Sequence, residues 1–426
     1  MKLKSGLNIL VGPNGSGKTN IISFFEFLSY LQENEIHEAV SLAGGAGSIF
    51  TKMGDTQFGD SIQAEIFGGR LYDSKRFVKY RYSFEISVNN KAGQIYFRNQ
   101  RISLEIVQKP VAVNKRSSSN IEWDLDILID CNNAKDREVV INKFDRRKIR
   151  SRYGGNLTKD ELNEDLEFSV FRYQNRSIMY FLSREFDIIR PLASDMIGGE
   201  VLNIIPSKIK QPEDIAKEPG IKKDGTGLAA TLFAIKNKRF KHTLMAKWYH
   251  QQIPINPKVY NQIIALTKLA NASITDITVT NNPFDNQLII KISISSVSSQ
   301  DIMLPLSAMS DGTIKWITLL TAILSSNKTF SIEEPENFLH PWMQSEIIKI
   351  MRNTFGQKKH ENFILMSTHS ETLLNNADPE EIIVISMERG QTKAKRVVNQ
   401  ELLRQEISNT GFGLGFYYLS GSLNNE

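Results

Sequence analysis

The segment VGPNGSGKT at residues 11–19 constrains this chain more than any other. Gly12, Gly17, Lys18 and Thr19 stand at the spacing glycine, four residues, glycine, lysine, threonine. The apolar run Leu7 to Val11 before them predicts a buried strand, and TNIISFFEFLSYL after them predicts a helix. A strand, a glycine-rich loop and a helix in this order form a cradle for phosphate.

The residue types of the loop follow from phosphate chemistry. Backbone N–H groups must turn inward around an anion, which glycines allow, and the next helix directs its N-terminus at the same anion. Lys18 is predicted to reach the β- and γ-phosphates, and Thr19 is predicted to bind Mg²⁺. The predicted nucleotide-binding residues are Gly12, Pro13, Asn14, Gly15, Ser16, Gly17, Lys18, Thr19 and Asn20.

Composition indicates the class of protein. With 41% hydrophobic and 23% charged residues, the chain resembles ordinary globular proteins that bury a sizeable core. Its single cysteine, Cys131, excludes an internal disulfide framework and indicates a reducing compartment. A membrane-spanning helix needs about 20 apolar residues, and no apolar run in the sequence is that long. The N-terminal apolar run leads into the phosphate loop and not into a signal-peptide cleavage site. We therefore predict a cytoplasmic protein without a membrane partner.

Strand and helix patterns divide the chain. Three segments rich in Ile, Val, Phe and Tyr predict antiparallel strands: residues 61–69, 76–88 and 93–107. Helical patterns dominate from about residue 157 to 272, and strands return after them. The predicted domains are an N-terminal lobe over 1–150, a mainly helical insertion over 151–272 and a C-terminal lobe over 273–426.

A second apolar run ends in adjacent carboxylates. The segment TFSIEEPENFLHP at 329–341 predicts a strand that ends at Glu333 and Glu334, before a proline. A nucleotide site needs one carboxylate to hold Mg²⁺ and a second to orient or deprotonate the attacking water. Successive side chains of a strand point in different directions, so neighbours can divide these tasks. We assign Glu333 to the metal and Glu334 to the water.

Two further segments provide partners for an anion. Ser310, Asp311 and Gly312 stand at the start of an amphipathic helix, where unpaired N–H groups attract phosphate. The segment NFILMSTHSETLL at 362–374 predicts another apolar strand, which ends in Ser367, Thr368, His369 and Ser370. The histidine can hydrogen-bond a γ-phosphate. Each segment alone is explained by a helix cap or a strand-end hydrogen bond. Their order beside the phosphate loop favours the nucleotide site.

These motifs, in this order, resemble the ABC-type ATPases of the RecF/SMC/OLD group, and especially their stand-alone bacterial branch with IEEPENxLHP and THS signatures. The resemblance implies an α/β fold, a P-loop ABC-type ATPase head with a mixed sheet, an antiparallel β subdomain and a helical insertion. It implies ATP and Mg²⁺ as cofactors and Lys18, Glu334 and His369 as catalytic residues. It also implies that two heads dimerise around two ATP molecules, with Ser310 and Gly312 acting on the partner's γ-phosphate and His369 as the switch histidine.

The chain departs from the family pattern in three places. Only six residues precede Leu7, so the usual preceding strand and its adenine-contacting aromatic are not identified. Glu333 stands where Asp is common. Gln57, Gln63 and Gln174 are all candidates for the glutamine of the Q-loop, and the sequence does not choose among them.

The predicted function follows from what accompanies the ATPase motifs. SMC relatives carry coiled-coil arms and OLD nucleases carry a Toprim domain, but here 57 residues (426 minus 369) follow the switch histidine, fewer than a typical domain of about 100. We therefore expect an ATPase that controls a separately encoded effector. Family members in Septu-like, retron-associated and PARIS-like systems imply a nuclease effector in antiviral defence.

Other partners and functions stay open. Basic clusters at 145–153 and 236–242 combine Lys and Arg with an aromatic, which suits DNA or RNA, although a solvated charged face is the alternative. We expect a homodimer or higher homo-oligomer. One alternative function is a RecF-like ATPase of DNA repair or recombination. Another is a weakly hydrolysing, nucleotide-dependent scaffold.

Overall fold

The structure is a computed structural model of the 426-residue chain. The residues it describes are 1–52, 58–89, 93–108, 122–133, 136–152, 157–172, 175–196, 200–237, 257–297, 300–326, 329–356 and 362–424. They form two compact units. The first contains Met1–Ile22 and Glu200–Glu426, and the second contains Ser23–Gly199.

Strands and helices alternate along much of the described chain. The strands are β1 Gly6–Val11, β2 Ser61–Leu71, β3 Phe77–Asn89, β4 Gln94–Val107, β5 Leu125–Asn133, β6 Asp136–Phe144, β7 Glu200–Leu202, β8 Glu213–Asp214, β9 Ile274–Asn282, β10 Gln287–Ile294, β11 Ile302–Pro305, β12 Phe330–Glu333, β13 Phe363–Ser367, β14 Ile382–Glu388 and β15 Gln391–Arg396. The helices are α1 Lys18–Glu33, α2 Ile36–Leu42, α3 Ala46–Ile49, α4 Lys159–Arg172, α5 Ile178–Glu185, α6 Arg190–Met196, α7 Pro206–Ile209, α8 Leu228–Asn237, α9 Pro257–Ala270, α10 Asp311–Ser325, α11 Pro341–Gly356, α12 Glu371–Asn375, α13 Gln400–Thr410 and α14 Leu414–Leu419. None of these described helices is long and apolar enough to cross a membrane.

The first unit is built on a six-stranded mixed sheet in the order β15-β14-β1-β13-β12-β7. The strands from β14 to β7 pair in parallel, and β15 pairs antiparallel with β14. Leu7 to Val11 of β1 are all buried, and all of them except Asn8 are apolar, so apolar and polar residues do not alternate along this strand. The phosphate loop therefore starts from the interior of the sheet.

Helix α10 is the most buried helix of the first unit. Every residue from Thr313 to Ser325 is buried, including Trp316, which is 1% exposed. Ser310 caps the N-terminus of the helix, because its hydroxyl accepts a hydrogen bond from the backbone N–H of Thr313. A second sheet in this unit contains β8, β9, β10 and β11.

The second unit contains a five-stranded antiparallel sheet in the order β2-β3-β4-β5-β6. Strands β2, β3 and β4 cover the three segments predicted from their residues. Strands β5 and β6 lie in a part of the sequence for which no strand was predicted. Their buried residues, among them Leu125 and Ile127, pack in one core with residues of α4, α5 and α6. The α/β fold with a mixed sheet and an antiparallel β subdomain is confirmed.

The residues predicted as one helical insertion, 151–272, divide between the two units. Helices α4, α5 and α6 belong to the second unit, whereas the chain from Glu200 onward belongs to the first. Strand β7 within this range pairs in parallel with β12. It is only three residues long, and its partner lies far along the chain, so local periodicity did not predict it. The boundaries of the two units therefore differ from the predicted limits at 150 and 272.

Candidate nucleotide-binding site

Four parallel strands of the first unit lead into polar residues. Strand β1 leads into the phosphate loop, β12 ends at Glu333, β13 precedes His369 and β7 precedes Asn203. The carboxyl ends of parallel strands meet at one edge of a sheet, so these residues share a cavity of about 550 Å³. The cavity is lined by Asn14, Gly15, Gly17, Lys18, Thr19, Asn20, Asn203, Glu333, Glu334, Asn337, Ser367 and His369.

Three glycines shape the phosphate loop. Gly15 has a φ of 76° and Gly17 a φ of 99°, in the left-handed region that favours glycine. A Cβ on Gly12 would lie 2.2 Å from the carbonyl oxygen of Ile385, and a Cβ on Gly17 would lie 2.1 Å from Oγ1 of Thr392. The loop follows this path because these positions carry no side chain.

Lys18 is buried at the first residue of α1. Its Nζ donates hydrogen bonds to the carbonyl oxygens of Gly12, at 2.8 Å, and of Pro13, at 3.1 Å. Burial lowers the pKa of Lys18, and the nearby carboxylates of Glu334 and Glu336 partly oppose that shift. The ammonium group therefore lies between the loop carbonyls and the acidic end of β12, where a phosphate would meet it.

Two buried polar atoms near the phosphate loop lack hydrogen-bond partners in the described part of the chain. Ser16 Oγ and His369 Nε2 are buried and have no hydrogen-bond partner among the described residues. A buried polar group without a partner costs about 1–3 kcal/mol. Both atoms can carry a proton and donate it to an oxygen. His369 lines the cavity, whereas Ser16 belongs to the phosphate loop and does not line it, so His369 is the unpaired donor that an anion in the cavity would meet.

The turn after β12 brings two carboxylates to the cavity. Glu333 is the last residue of the strand, and Glu334 adopts a left-handed backbone with a φ of 42°. The N–H of Glu334 donates to the carbonyl oxygen of Ser367 at 3.0 Å, and Nδ2 of Asn337 donates to Oε2 of Glu334 at 3.1 Å. A left-handed conformation at a residue other than glycine costs about 1–3 kcal/mol and is common at active sites.

Glu336 is a third carboxylate of this turn, and no role was predicted for it from the sequence. Its Oε1 accepts hydrogen bonds from Oγ1 of Thr368, at 2.8 Å, and from the backbone N–H of His369, at 2.9 Å. Its Oε2 is buried without a hydrogen bond among the described residues. The signal was present in the EEPE segment, but only the tertiary structure shows that the third glutamate contacts the histidine loop.

Comparison with protein families gives one match over most of the chain. Residues 7–375 match the family described as "AAA domain, putative AbiEii toxin, Type IV TA system". The chain belongs to this AAA family. The family supports an ATPase-like domain that uses a nucleotide, which agrees with a cavity built from a phosphate loop and an acidic strand end. No curated protein matches the chain.

Several solved structures are similar to this member of the family. The Smc head bound to the C-terminal winged-helix domain of ScpA has 14% identity and a TM-score of 0.44, covering 93% of this chain and 92% of that chain. The SMC head domain from Thermotoga maritima has 12% identity and a TM-score of 0.34, with coverage of 93% and 92%. CbiO1 from Clostridium perfringens, part of the ABC transporter complex cbiONQ, has 15% identity and a TM-score of 0.24, with coverage of 59% and 81%. The likeness is loose and concerns the fold.

The predicted signature residues lie at the start of α10 and do not line the cavity. Ser310 caps the helix, and the carboxylate of Asp311 pairs with Nζ of Lys210 at 2.8 Å. A Cβ on Gly312 would lie 2.5 Å from the carbonyl oxygen of Phe338. Within one chain, these three residues therefore contact other groups of the first unit rather than the phosphate loop.

Asn203 lines the cavity, although no role was predicted for it from the sequence. It follows β7, the edge strand beside β12, and its side chain forms no hydrogen bond with the described residues. The three glutamines considered for the Q-loop are placed differently. Gln63 lies in β2 and donates to Glu85 at 3.2 Å, while Gln57 and Gln174 lie outside the described residues. Asn203 could have been predicted from the sequence only if a strand pattern preceded it. Strand β7 is too short to produce such a pattern.

The oxygen ligands in the cavity suit a small hard cation. Thr19, Glu333 and Asn203 contribute a hydroxyl, a carboxylate and an amide oxygen. In the described part of the chain, no group of three or more His, Cys, Asp and Glu residues forms a metal site. Mg²⁺ in nucleotide sites is usually bound by one or two carboxylates together with phosphates and water, so this ligand set fits it.

Proposed function

We propose that this chain binds ATP with Mg²⁺ and hydrolyses it. One observation supports the proposal most strongly: the phosphate loop, the carboxylates of Glu333 and Glu334, and His369 all line one cavity. Residues separated by more than three hundred positions in the sequence meet there because β1, β12 and β13 are neighbours in one sheet.

The roles of the residues follow from their chemistry and contacts. Lys18 exchanges its hydrogen bonds to the loop carbonyls for contacts with the phosphates and neutralises their charge. Thr19, Glu333 and Asn203 would hold Mg²⁺, which would supply Lewis-acid stabilisation of the phosphate charge. Each of these side chains belongs to the first unit.

Glu334 is the proposed general base. Its carboxylate is held by Asn337 and its backbone by Ser367, so its position is constrained from two sides. It accepts the proton of the attacking water, a contribution of about 10²- to 10⁴-fold in rate. His369 Nε2 contacts the γ-phosphate and senses whether it is present.

We further propose that two chains form a head-to-head dimer around ATP. Ser310 and Gly312 belong to the start of α10 and do not line the cavity of their own chain. A helix N-terminus attracts phosphate, so these residues would act on the nucleotide of the partner. ATP would then favour one arrangement of the dimer and hydrolysis would release it.

The proposed biological role is control of a separately encoded effector, a nuclease, in antiviral defence in the cytoplasm. The family description names a putative toxin of a type IV toxin–antitoxin system, and this supports a role in which activity is held under control. In this proposal the ATP state determines which effector-binding arrangement of the dimer is populated.

A RecF-like role on DNA is the second candidate, and one surface feature favours it. Arg146, Arg147 and Arg150 of the first basic cluster are exposed, whereas Lys148 pairs with Asp124 at 2.8 Å. Residues 238–242 of the second cluster lie outside the described residues. Exposed arginines suit phosphate contacts, and such binding weakens as salt concentration rises.

One experiment separates the candidate functions. ATP hydrolysis by the full chain is measured with and without duplex and single-stranded DNA, with Lys18→Ala as the control that removes the phosphate contact. Hydrolysis that is independent of DNA supports the switch, and stimulation by DNA that falls with salt supports the RecF-like role. ATP binding without turnover supports a scaffold. If ATP does not bind, or binds equally well to Lys18→Ala, the proposal of an ATP site is wrong.

A second experiment tests the separate effector. The chain alone is incubated with plasmid DNA, single-stranded DNA and tRNA, with Mg²⁺ or Mn²⁺, in the presence and absence of ATP. We expect no cleavage, because the carboxylates of the cavity are used for the nucleotide. Cleavage that is lost on substituting residues outside the cavity would contradict the proposal.

A further inference from the structure

Lys315 is a buried lysine on α10, four residues after Asp311. It is 4% exposed, and its Nζ donates a hydrogen bond to the carbonyl oxygen of Glu334 at 3.2 Å. The same Nζ lies 5.9 Å from the centroid of the Phe338 ring. Burying an ammonium group is unfavourable unless the group is paired. Core packing alone therefore does not explain a lysine at this position.

The turn that Lys315 contacts has an unfavourable backbone. Glu334 and Phe338 are both left-handed, with φ of 42° and 68°. Neither residue is glycine, so the surrounding contacts must hold the turn in this conformation. Lys315 binds the carbonyl group of the first of these residues and packs near the ring of the second.

The start of α10 contacts the same turn at a second point. A Cβ on Gly312 would lie 2.5 Å from the carbonyl oxygen of Phe338, so the two backbones are packed closely there. Gly312 and Lys315 are three residues apart and share one face of the helix. The helix therefore supports the turn through one backbone contact and one cationic side chain.

The charge of Lys315 is balanced by carboxylates of the turn. Burial lowers the pKa of Lys315 to about 8, while Glu336 and Glu334 raise it and so favour the charged form. Glu336 in turn accepts hydrogen bonds from Thr368 and His369. The ammonium group thus lies beside both the proposed base and the carboxylate that holds the histidine loop.

We infer that Lys315 is a positioning residue for Glu334, which it holds in the conformation needed to activate water. The inference rests on the proposed function, because it assumes that Glu334 is the base. Lys315 does not line the cavity, so it acts through the carbonyl group and charge of the turn rather than on the nucleotide. Removing it should disturb turnover and leave ATP binding in place.

The test compares Lys315→Met with Thr318→Val. Methionine keeps most of the volume and removes the charge. Thr318 is a buried residue of the same helix whose hydroxyl donates only within the helix, to the carbonyl oxygen of Ile314, so its substitution controls for disturbance of α10. For Lys315→Met we expect kcat to fall about 10- to 100-fold, since small misplacement of a catalytic group has effects of this size. The KM and the Kd for ATP should change by less than about threefold, as a loss confined to turnover requires.

Stability provides the readout that separates positioning from a structural role. Methionine removes the cost of burying a charge but also removes the hydrogen bond to the carbonyl oxygen of Glu334, so we expect Lys315→Met to remain folded without urea and to bind ATP as the wild type does. Lys315→Gln is measured in parallel, so that a second neutral variant tests the inference if methionine prevents folding. It should show the same fall in kcat with little change in KM.

The possible outcomes separate failure of the role of Lys315 from failure of the proposed ATPase function. Wild-type kcat in either folded variant would overturn the inference. Loss of ATP binding in step with loss of stability would also overturn it, because Lys315 would then be structural. If the wild type and Thr318→Val bind ATP but do not hydrolyse it, the proposed hydrolysis is wrong, and the inference with it.

Discussion

The carboxylate of Glu336 accepts a hydrogen bond from the backbone N–H of His369, with 2.9 Å between donor and acceptor. This bond joins the turn after β12 to the residues after β13. The same oxygen accepts from Oγ1 of Thr368, so one carboxylate holds two consecutive residues. The position of the proposed switch histidine therefore depends on the same turn that carries the proposed base.

Replacing Glu336 should disturb the histidine loop. Glu336→Ala leaves the N–H of His369 and the hydroxyl of Thr368 without their acceptor, so we expect the free energy of unfolding to fall by about 1–3 kcal/mol. We also expect a lower kcat for ATP. Glu336→Gln keeps an oxygen acceptor and should be closer to the wild type in stability. Urea unfolding and steady-state ATPase assays measure both effects, and equal stability of Glu336→Ala and the wild type would contradict this role.

The two adjacent carboxylates should have different effects on catalysis. Glu334→Gln removes the base while keeping the shape of the side chain, so we expect ATP binding to persist and kcat to fall by roughly 10²- to 10⁴-fold. An ATP-bound dimer should accumulate, which light scattering coupled to size-exclusion chromatography would detect. Glu333→Gln should instead raise the Mg²⁺ concentration needed for half-maximal activity. Normal turnover by Glu334→Gln would show that the base is a different residue.

Gly312 should not tolerate a side chain. An alanine Cβ would lie 2.5 Å from the carbonyl oxygen of Phe338, which is backbone and cannot swing away. Although alanine favours helices, we expect Gly312→Ala to lower the free energy of unfolding by about 1–3 kcal/mol, the usual cost of overpacking. Turnover should fall as well, because the turn that carries Glu334 is displaced.

A second helical glycine serves as the control for Gly312. Gly47 lies in α3, and a Cβ there would meet its nearest neighbour, Phe58, at an ordinary 3.7 Å. We therefore expect Gly47→Ala to be as stable as the wild type or slightly more stable, and as active. If both alanine variants behave alike in urea unfolding and ATPase assays, close packing at Gly312 is not important.

Lys315 should make stability depend on alkaline pH. Its pKa is about 8 in the folded chain and 10.5 when unperturbed, so the unfolded chain holds the proton more tightly. Below pH 8 both states are charged and folding carries the cost of burial. As pH rises from 8 to 10.5, the folded state loses its proton first, and the wild type gains stability, by at most about 3 kcal/mol.

The measurement for Lys315 is a difference between two proteins. Urea unfolding of the wild type and of Lys315→Met is followed at intervals from pH 7 to pH 10.5, so that other titrating groups largely cancel. The charged neighbours of Lys315 in the turn are Glu334 and Glu336. We expect the wild type to gain stability relative to Lys315→Met as pH rises. A constant difference would mean that the pKa of Lys315 is not lowered.

Several features of this protein could be predicted from short stretches of sequence. The phosphate loop depends on residue types at fixed spacing, and the end of β12 is visible as an apolar run that stops at two glutamates. Strands β2, β3 and β4 are long enough for their residue composition to identify them as strands. Strand β7, with three residues, is not, and its pairing with β12 depends on a contact between distant parts of the chain.

The sequence by itself determined that the chain carries a phosphate loop, an acidic strand end and a histidine after a third strand, because local patterns encode each of these. Only the tertiary structure decided which other residues surround them. Asn203, Glu336 and Lys315 reach the site or its supporting turn through strand order and helix packing. The strand order β1-β13-β12-β7 reverses part of the chain order, and no local pattern of residues can encode which distant strands become neighbours.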